Sequence, residues 1–411
     1  MARRPAIHWP SVWQFGLSLL AVVTLWEMAA LLTLLGLFQR FNQPSGQVAG
    51  LSFVLVASGV AFTGLLLLPS AGYALARLTN NPIPGLPSAF NGLRLAATIL
   101  ALPLVLLAGH YATKVEVLSW MLLPRLHVLA IGLPVLWIAY LGQRDVPLGP
   151  PQQGWGMLAC GLVLAPGLIL VAEMLVVAIL VLGVAIFISV RPDIMAELQR
   201  LFLLLASNSA SPEEQIRLLA PYLIRPGGIF AILALGAVLI PLIEELVKPV
   251  GVWLLAGASL SPAQGFAAGV LSGAGYALIE SMLLASQVDQ WAALVIARIG
   301  TAAIHTFATG LTAWALVQAW SEGRYLRLGV SYLAAAALHG LWNCLTLLIV
   351  FSNLASTLEN GRSLEILQQA GRISPYALAG IAAAAFLALL WANRRLRQTS
   401  VEITPSGASV V

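Results

Sequence analysis

The sequence predicts an all-α fold, a polytopic bundle of about ten transmembrane helices with both termini in the cytoplasm. Hydrophobic residues make up 60% of the 411 residues and charged residues only 9%, and the mean hydropathy is +0.91. Soluble domains carry about 25% charged residues, so a soluble protein is excluded. The sequence does not alternate with period two over ten-residue segments, which disfavours a transmembrane barrel.

Each predicted span is an apolar stretch long enough to cross the hydrocarbon core, which takes about 20 helical residues. In chain order the stretches are 12–38, 49–69, 93–109, 117–141, 155–189, 228–257, 263–286, 291–320, 328–352 and 375–393. The fifth stretch is too long for one crossing, and we expect it to bend near Pro166 or to continue along the interface. The fourth contains Pro124, which favours a broken helix there.

Positive charge at both ends of the chain predicts its orientation. Arg3 and Arg4 precede the first span, and a second arginine cluster follows the last span, at Arg394, Arg395 and Arg397. Cytoplasmic flanks of membrane proteins are enriched in Lys and Arg, and an even number of spans places both clusters on that side. The net charge of +5 is therefore an orientation signal, and no nucleic-acid partner is predicted.

The positions of polar residues divide the chain into three predicted regions. Residues 1–225 form an N-terminal membrane region that ends in an amphipathic, interfacial segment at about 190–227. Residues 226–352 form a helical core with the candidate catalytic groups, and residues 353–411 contain a loop, the last transmembrane helix and a polar tail.

The sixth span places three charged side chains inside an apolar sequence, PLIEELVKPVGVWLL. They are Glu244, Glu245 and Lys248, and a charge at the bilayer centre costs about 2.5–3.5 kcal/mol on the insertion scale. Lys248 follows the two acids by four and three residues, so it can reach either carboxylate on one helical face. One acid stays under-compensated and is expected to bind a proton or a cation. Pro249 is expected to kink the helix after the motif.

The next three spans each add a pair of polar groups at helical spacing. The pairs are Tyr276 with Glu280, Arg298 with His305, and His339 with Asn343. Spacings of four and seven residues put both members of a pair on one helical face. Most of these groups lie about 12–18 residues into their spans, near the midplane at ~1.5 Å per residue. We therefore predict that Glu280, His305, His339 and Asn343 converge, with the glutamate pair, on one cavity near the midplane.

Other small and polar residues are interpreted as structural. Gly265, Gly269, Gly273 and Ala277 recur every four residues in the seventh span, a pattern typical of close helix packing. Outside the motif-bearing spans, the intramembrane polar residues are interpreted as packing or end-of-span groups. They are Glu27, His110, Arg125, His127 and Glu173.

Four motifs resemble those of the PrsW family of intramembrane proteases, in the clan of CAAX-processing and bacteriocin-processing endoproteases. EELVK resembles its EExxK motif, GYALIES its GFAxxEN segment, RIGTAAIHTF its Arg-then-His motif, and HGLWN its closing HGxxN motif. They follow in the family's order on four consecutive spans and cover about residues 240–345. Two positions depart from the family pattern: Tyr276 stands where Phe is usual, and Ser281 stands where Asn is usual.

The resemblance implies an intramembrane endopeptidase of the bacterial cytoplasmic membrane. Its substrate would be a membrane-embedded protein or peptide, for example a single-span regulatory protein. The residues that match the family's motifs and would carry or support catalysis are Glu244, Glu245, Lys248, Tyr276, Glu280, Arg298 and Asn343. Glu244 or Glu245 would act as general base toward a water, and Asn343 would donate to the oxyanion.

The cofactor stays open at this point. If a zinc ion is bound, the resemblance implies that His305, His339 and Glu280 hold it, since three protein ligands and an open position are typical of catalytic zinc. A mechanism driven by the glutamates without a metal fits the same residues.

Two other function classes remain open on the sequence alone. Intramembrane acids, Lys and His also form proton relays in ion- or proton-coupled transporters, although the chain shows no inverted repeat. A catalytically inactive relative that binds membrane peptides as a scaffold is the third hypothesis. The charged and imidazole positions of the motifs all keep their chemical type, which favours an active enzyme.

Overall fold

In the computed structural model, the described residues are 8–42, 46–81, 92–146, 148–206, 212–284, 286–356, 358 and 362–402. Helices account for 90% of them, and none of them lies in a strand. Within this part of the chain, nine helices are long and apolar enough to cross a membrane. The prediction of an all-α polytopic bundle is confirmed, while the orientation of the termini stays a prediction.

The helices are named here in chain order. They are α1 (Trp9–Asn42), α2 (Gly46–Leu78), α3 (Gly92–Ala112), α4 (Glu116–Gln143), α5 (Pro151–Ala159), α6 (Ala165–Ser189), α7 (Pro192–Ala206), α8 (Pro212–Leu223), α9 (Pro226–Leu233), α10 (Ile240–Val247), α11 (Val250–Trp253), α12 (Pro262–Leu284), α13 (Trp291–Glu322), α14 (Tyr325–Ala355) and α15 (Arg362–Glu402).

Two π-helical segments join neighbouring helices into single long spans. Cys160–Leu164 connects α5 to α6, and Ala234–Leu239 connects α9 to α10. The first lies directly before Pro166, where the sequence predicts a bend. A proline ring clashes with the carbonyl four residues earlier, and the wider π turn accommodates it.

Pro249 interrupts the helix as expected. α10 ends at Val247, and α11 is a single turn that begins at Val250, so the predicted span 228–257 is not one continuous helix. The glutamate pair therefore lies in the last turn before this break.

Two other expectations differ from the structure. The fourth span does not break at Pro124, since α4 is continuous through it and through Pro134; membrane helices tolerate proline where neighbours satisfy the freed backbone groups. The third predicted span, 93–109, lies within α3 (Gly92–Ala112), the tenth apolar helix beside the nine long ones of the described residues. The last helix extends to Glu402, and the rest of the predicted polar tail lies outside the described residues.

The chain forms two compact units. The first consists of Met1–Pro166, Lys248–Tyr332 and Ala384–Val411. At its centre, α12 packs along α13, and α4 packs against both helices. Of the most apolar stretch of α12, 83% is buried.

The second unit consists of Gly167–Val247 and Leu333–Ala383. Its α6 leaves most side chains exposed, and only 6% of the most apolar stretch of the span Pro151–Ser189 is buried. The short helices α7 and α8 occupy the predicted interfacial segment, and exposed apolar side chains such as Phe202 and Leu203 line one of them. Their location at the membrane interface stays a prediction.

Candidate active site

The second unit contains a buried cluster of two carboxylates and one imidazole. The side chains of Glu244, Glu245 and His339 are 7%, 0% and 3% exposed. His339 Nδ1 lies 3.0 Å from Glu245 Oε1 and 3.9 Å from Glu244 Oε2, so only the first contact is a hydrogen bond. Because a carboxylate accepts, the Nδ1–H of His339 donates to Glu245.

A close approach of two helical segments assembles this cluster. A Cβ at Gly340 would overlap the carbonyl oxygen of Ala237, in the π-helical segment before α10. Only glycine permits α14 to lie so near, and His339 is the residue directly before it. The sequence HG therefore combines an imidazole with the contact that brings it to the glutamates.

Asn343 lies one turn after His339 and bonds to the backbone of the same π-helical segment. Its Nδ2 donates to the carbonyl oxygen of Gly236 at 2.9 Å. A π turn leaves a carbonyl outside the regular ladder, and Asn343 satisfies one here. No described contact joins Asn343 to the glutamate pair. A primary amide has a second N–H.

At the helix break after α10, a serine bonds the backbone of Lys248 within the first unit. Lys248 follows Val247 directly, and its carbonyl oxygen accepts a hydrogen bond from Ser272 Oγ at 2.6 Å. The proline after Lys248 ends the helical ladder, so this carbonyl lacks an ordinary helical donor. Ser272 is one functional group that the sequence analysis missed.

The first unit contains a second polar cluster, formed by α12, α13 and Lys248. Lys248 Nζ lies 2.7 Å from His305 Nδ1, and His305 Nε2 lies 2.9 Å from Glu280 Oε2. An ammonium only donates, so Nδ1 of His305 accepts and its Nε2–H donates to Glu280. Arg298 pairs with the same carboxylate oxygen of Glu280. Glu280 is thus bonded directly to Arg298 and, through His305, to the buried Lys248.

Two further residues of this cluster complete its contacts. The ring of Tyr276 lies edge-on to His305, with centroids 5.4 Å apart, and its face lies 4.4 Å from Lys248 Nζ. A cation over an aromatic face is attracted by the ring's quadrupole. Ser281 accepts a hydrogen bond from Arg298 Nε at 3.1 Å. At both departures from the family pattern, the side chain present contacts the cluster.

Close packing of α12 on α13 aligns this cluster, as the four-residue stripe of small residues predicted. A Cβ at Gly265 would lie 2.6 Å from Val317 Cγ2, and one at Gly273 would lie 2.6 Å from the carbonyl oxygen of His305. Larger residues would separate the helices and move His305 from Glu280. The packing interpretation of the stripe is confirmed.

The predicted site residues thus fall into two groups, and each is described within its own unit. The second unit brings Glu244 and Glu245 to His339, and Asn343 to the π-helical backbone. The first unit brings together Lys248, Tyr276, Glu280, Arg298 and His305. In both groups one imidazole nitrogen is hydrogen-bonded to a glutamate carboxylate.

Comparison with known proteins assigns a family to the region that contains both groups. The family model described as PrsW family intramembrane metalloprotease matches residues 155–358, about half of the chain. No curated protein and no solved structure matches it.

Proposed function

The chain belongs to the PrsW family of intramembrane metalloproteases, and from that membership we propose that both polar groups take part in hydrolysing a peptide bond within the membrane. The protein is an integral membrane peptidase, and its substrates are membrane-embedded proteins. One observation carries the assignment of residues: His339 and His305 each bond a glutamate carboxylate, Glu245 and Glu280, through one ring nitrogen.

This pairing is the arrangement in which proteins orient metal-binding imidazoles. A ligating His usually gives its other ring nitrogen to a carboxylate or carbonyl, which fixes the tautomer and the ring orientation. We therefore assign Glu245 and Glu280 to orienting His339 and His305. The sequence-based expectation had Glu280 as a ligand; its contacts with His305 and Arg298 favour the orienting role.

The donor set that remains fits zinc. Glu244, His305 and His339 offer one carboxylate and two imidazoles, and catalytic zinc commonly has three such protein ligands with one open position. In the described conformation Lys248 Nζ faces Nδ1 of His305, so metal binding there requires Lys248 to release that nitrogen. A bound zinc would supply Lewis-acid chemistry at the scissile carbonyl and lower the pKa of water.

The protein's own groups also transfer the proton and bind the oxyanion. One glutamate of the Glu244–Glu245 pair, in addition to its assignment above, takes the proton of the attacking water as general base and returns it to the leaving amine. Asn343 is held by Gly236 through one N–H, and its second N–H donates to the developing oxyanion. Chain continuity supports the joint action of both groups, since Lys248 is only three residues from Glu245.

The substrate and location follow from these assignments. A site made of intramembrane residues requires a substrate chain that reaches membrane depth, and a single-span protein is the simplest such substrate. We place the protein in the bacterial cytoplasmic membrane, with its termini in the cytoplasm. Membership of a peptidase family favours peptide hydrolysis over the carrier and scaffold hypotheses.

The first experiment measures cleavage of single-span membrane proteins by the purified protein in detergent or liposomes. Glu244→Gln and Glu245→Gln each remove one carboxylate charge and keep the shape. We expect the base variant to lose about 10²–10⁴-fold in kcat. Glu173→Gln, an intramembrane acid of α6, is the matched control and should cleave at the wild-type rate. Equal cleavage rates in all three variants would contradict the assignment of the general base to the Glu244–Glu245 pair.

The second experiment separates the metal-dependent mechanism from the glutamate-driven one. Elemental analysis should find zinc at about one per chain, lost in His339→Ala and His305→Ala but kept in His110→Ala, which removes an exposed imidazole of α3. A chelator should abolish cleavage, and added zinc should restore it. If cleavage survives exhaustive chelation yet disappears in a glutamate variant, the metal assignment is wrong.

A further inference from the structure

His127, outside the predicted site, makes two hydrogen bonds in the interior of the first unit. It lies on α4 and is 0% exposed. Trp291 Nε1 lies 3.1 Å from His127 Nδ1, and His127 Nε2 lies 3.2 Å from the carbonyl oxygen of Met282. An indole N–H only donates, so Nδ1 accepts and the Nε2–H donates to Met282. Both ring nitrogens are thereby fixed in one neutral tautomer.

The two partners of His127 are the adjoining ends of the central helix pair. Met282 lies in the last turn of α12, where backbone carbonyls lack a helical donor, and Trp291 is the first residue of α13. His127 therefore caps one helix from outside and holds the first residue of the next. It connects the two ends independently of the loop between them.

Two glycines, on α2 and α3, allow these helices to approach Met282 and Trp291 closely. A Cβ at Gly59, on α2, would lie 2.6 Å from Met282 Cβ, and a Cβ at Gly109, on α3, would overlap the ring of Trp291. Three helices that precede the matched region 155–358 therefore contact one end of the α12–α13 pair.

That end of the pair adjoins the second polar cluster. Glu280 and Ser281 directly precede Met282, and Arg298 follows Trp291 by seven residues, about two helical turns. Arg298 contacts both Glu280 and Ser281. A shift of α12 along α13 would separate these groups, and the His127 bonds to Met282 and Trp291 oppose it.

We propose that His127 is a positioning residue, which fixes the register of α12 on α13 and so holds Glu280 against Arg298 and His305. The inference rests on the proposed function for its catalytic consequence. It also assigns a role to the region before the matched segment: α2, α3 and α4 hold the helix pair that carries Tyr276, Glu280, Arg298 and His305.

The test compares variants that lose or keep the two hydrogen bonds. His127→Leu removes both, Trp291→Phe removes one, and His127→Gln keeps one donor and one acceptor on an amide. Asn393→Leu is the matched control, because Asn393 also caps α4 from another helix, through the carbonyls of Gly142 and Arg144 at 3.1 and 3.0 Å. Trp137→Phe controls for loss of an indole N–H, since no described group accepts from Trp137 Nε1.

We expect His127→Leu to lower kcat by roughly tenfold or more, because small misplacements of catalytic groups cost up to about 10²-fold. KM should stay near that of the wild type, and His127→Gln should restore most of kcat. Asn393→Leu and Trp137→Phe should keep kcat within about twofold, even where thermal unfolding shows that Asn393→Leu is destabilised. Equal losses of kcat in His127→Leu and Asn393→Leu, or no rescue by His127→Gln, would overturn the positioning role.

Hydrogen exchange provides a readout that does not depend on peptidase activity. Amides at the end of α12 and the start of α13 should exchange faster in His127→Leu and Trp291→Phe, and remain as in the wild type in both controls. Unchanged exchange there in both variants would refute the inference. If the wild-type protein cleaves no membrane substrate, the proposed function fails, and the exchange measurements still decide whether His127 holds the pair. If His127→Leu does not fold, kcat and hydrogen exchange of Trp291→Phe are compared with those of the controls instead.

Discussion

The helices α12 and α6 are both apolar, yet one is interior and the other is exposed. Of the most apolar stretch of α12, 83% is buried, against 6% for the span Pro151–Ser189 that contains α6. α6 is the more apolar of the two. In a soluble protein the more apolar helix would be the core. In a bilayer the lipid chains solvate it, and packing and hydrogen bonds hold the interior together.

The side chains of the two helices differ accordingly. α12 contains the glycine stripe, Ser272, Tyr276 and Glu280, and each of these contacts α13 or Lys248. α6 is an almost continuous run of large aliphatic side chains, and its exposed members include Leu170, Val171, Leu175, Ile179 and Leu182. The less apolar helix thus carries polar side chains of the candidate site, and the more apolar one carries exposed aliphatic side chains.

Substitution of the acid in each helix is the strongest test of this comparison. Glu280→Gln removes the charge that His305 and Arg298 share, and we expect a loss of about 10–100-fold in activity, the usual range for groups that orient metal ligands. Glu173→Gln in α6 should have no such effect. Cleavage of a single-span substrate by the two purified variants measures both. A comparable loss in Glu173→Gln would mean that α6 is part of the site.

A methyl group added to each helix gives the second test. The Cβ of Gly273→Ala would lie 2.6 Å from the carbonyl oxygen of His305, and overpacking of this kind costs about 1–3 kcal/mol of folding free energy. A Cβ at Gly183 of α6 meets no described atom within 4 Å. Since Ala is the better helix former, Gly183→Ala should be neutral or slightly stabilising. Thermal or denaturant unfolding in detergent measures the difference, and equal stability of the two variants would contradict the packing.

The loss of one hydroxyl from each helix gives the smallest expected difference. Ser272→Ala leaves the carbonyl of Lys248 without its described donor, and we expect a destabilisation of about 1–3 kcal/mol for a buried group left unsatisfied. Ser189 Oγ bonds the carbonyl of Ile186 on an exposed surface, so Ser189→Ala should change stability by less than about 0.5 kcal/mol. The same unfolding assay measures both variants. A larger destabilisation by Ser189→Ala than by Ser272→Ala would contradict the expected order.

Features set by neighbours in the sequence were predictable. The break at Pro249, the close packing at Gly265 and Gly273, and the shared face of His305 and Arg298 all follow from helical spacing and from proline geometry. The class of the fold follows from composition, because a chain with 9% charged residues cannot cover a soluble surface.

Features set by another helix were not predictable. His127 is separated from Trp291 by 164 residues, and within its own helix it resembles any packing residue. Pro124 favours a break by itself, but α4 continues through it, which depends on contacts that the local sequence does not encode. Asn343 shares a face with His339, yet its described partner is Gly236 in a π turn, and no residue pattern marks such turns.

The π-helical segment Ala234–Leu239 has a consequence for how relatives of this protein differ in length. A π bulge is equivalent to an α-helix with one residue inserted, and each residue turns a helix by about 100°. A relative that lacks this residue would have a regular helix, and its two glutamates would face another direction unless the neighbouring helix moved as well. Aligned sequences should therefore keep a constant number of residues between Pro226 and Glu244, and an engineered one-residue deletion there should turn the glutamates away from His339 in a protein that still folds.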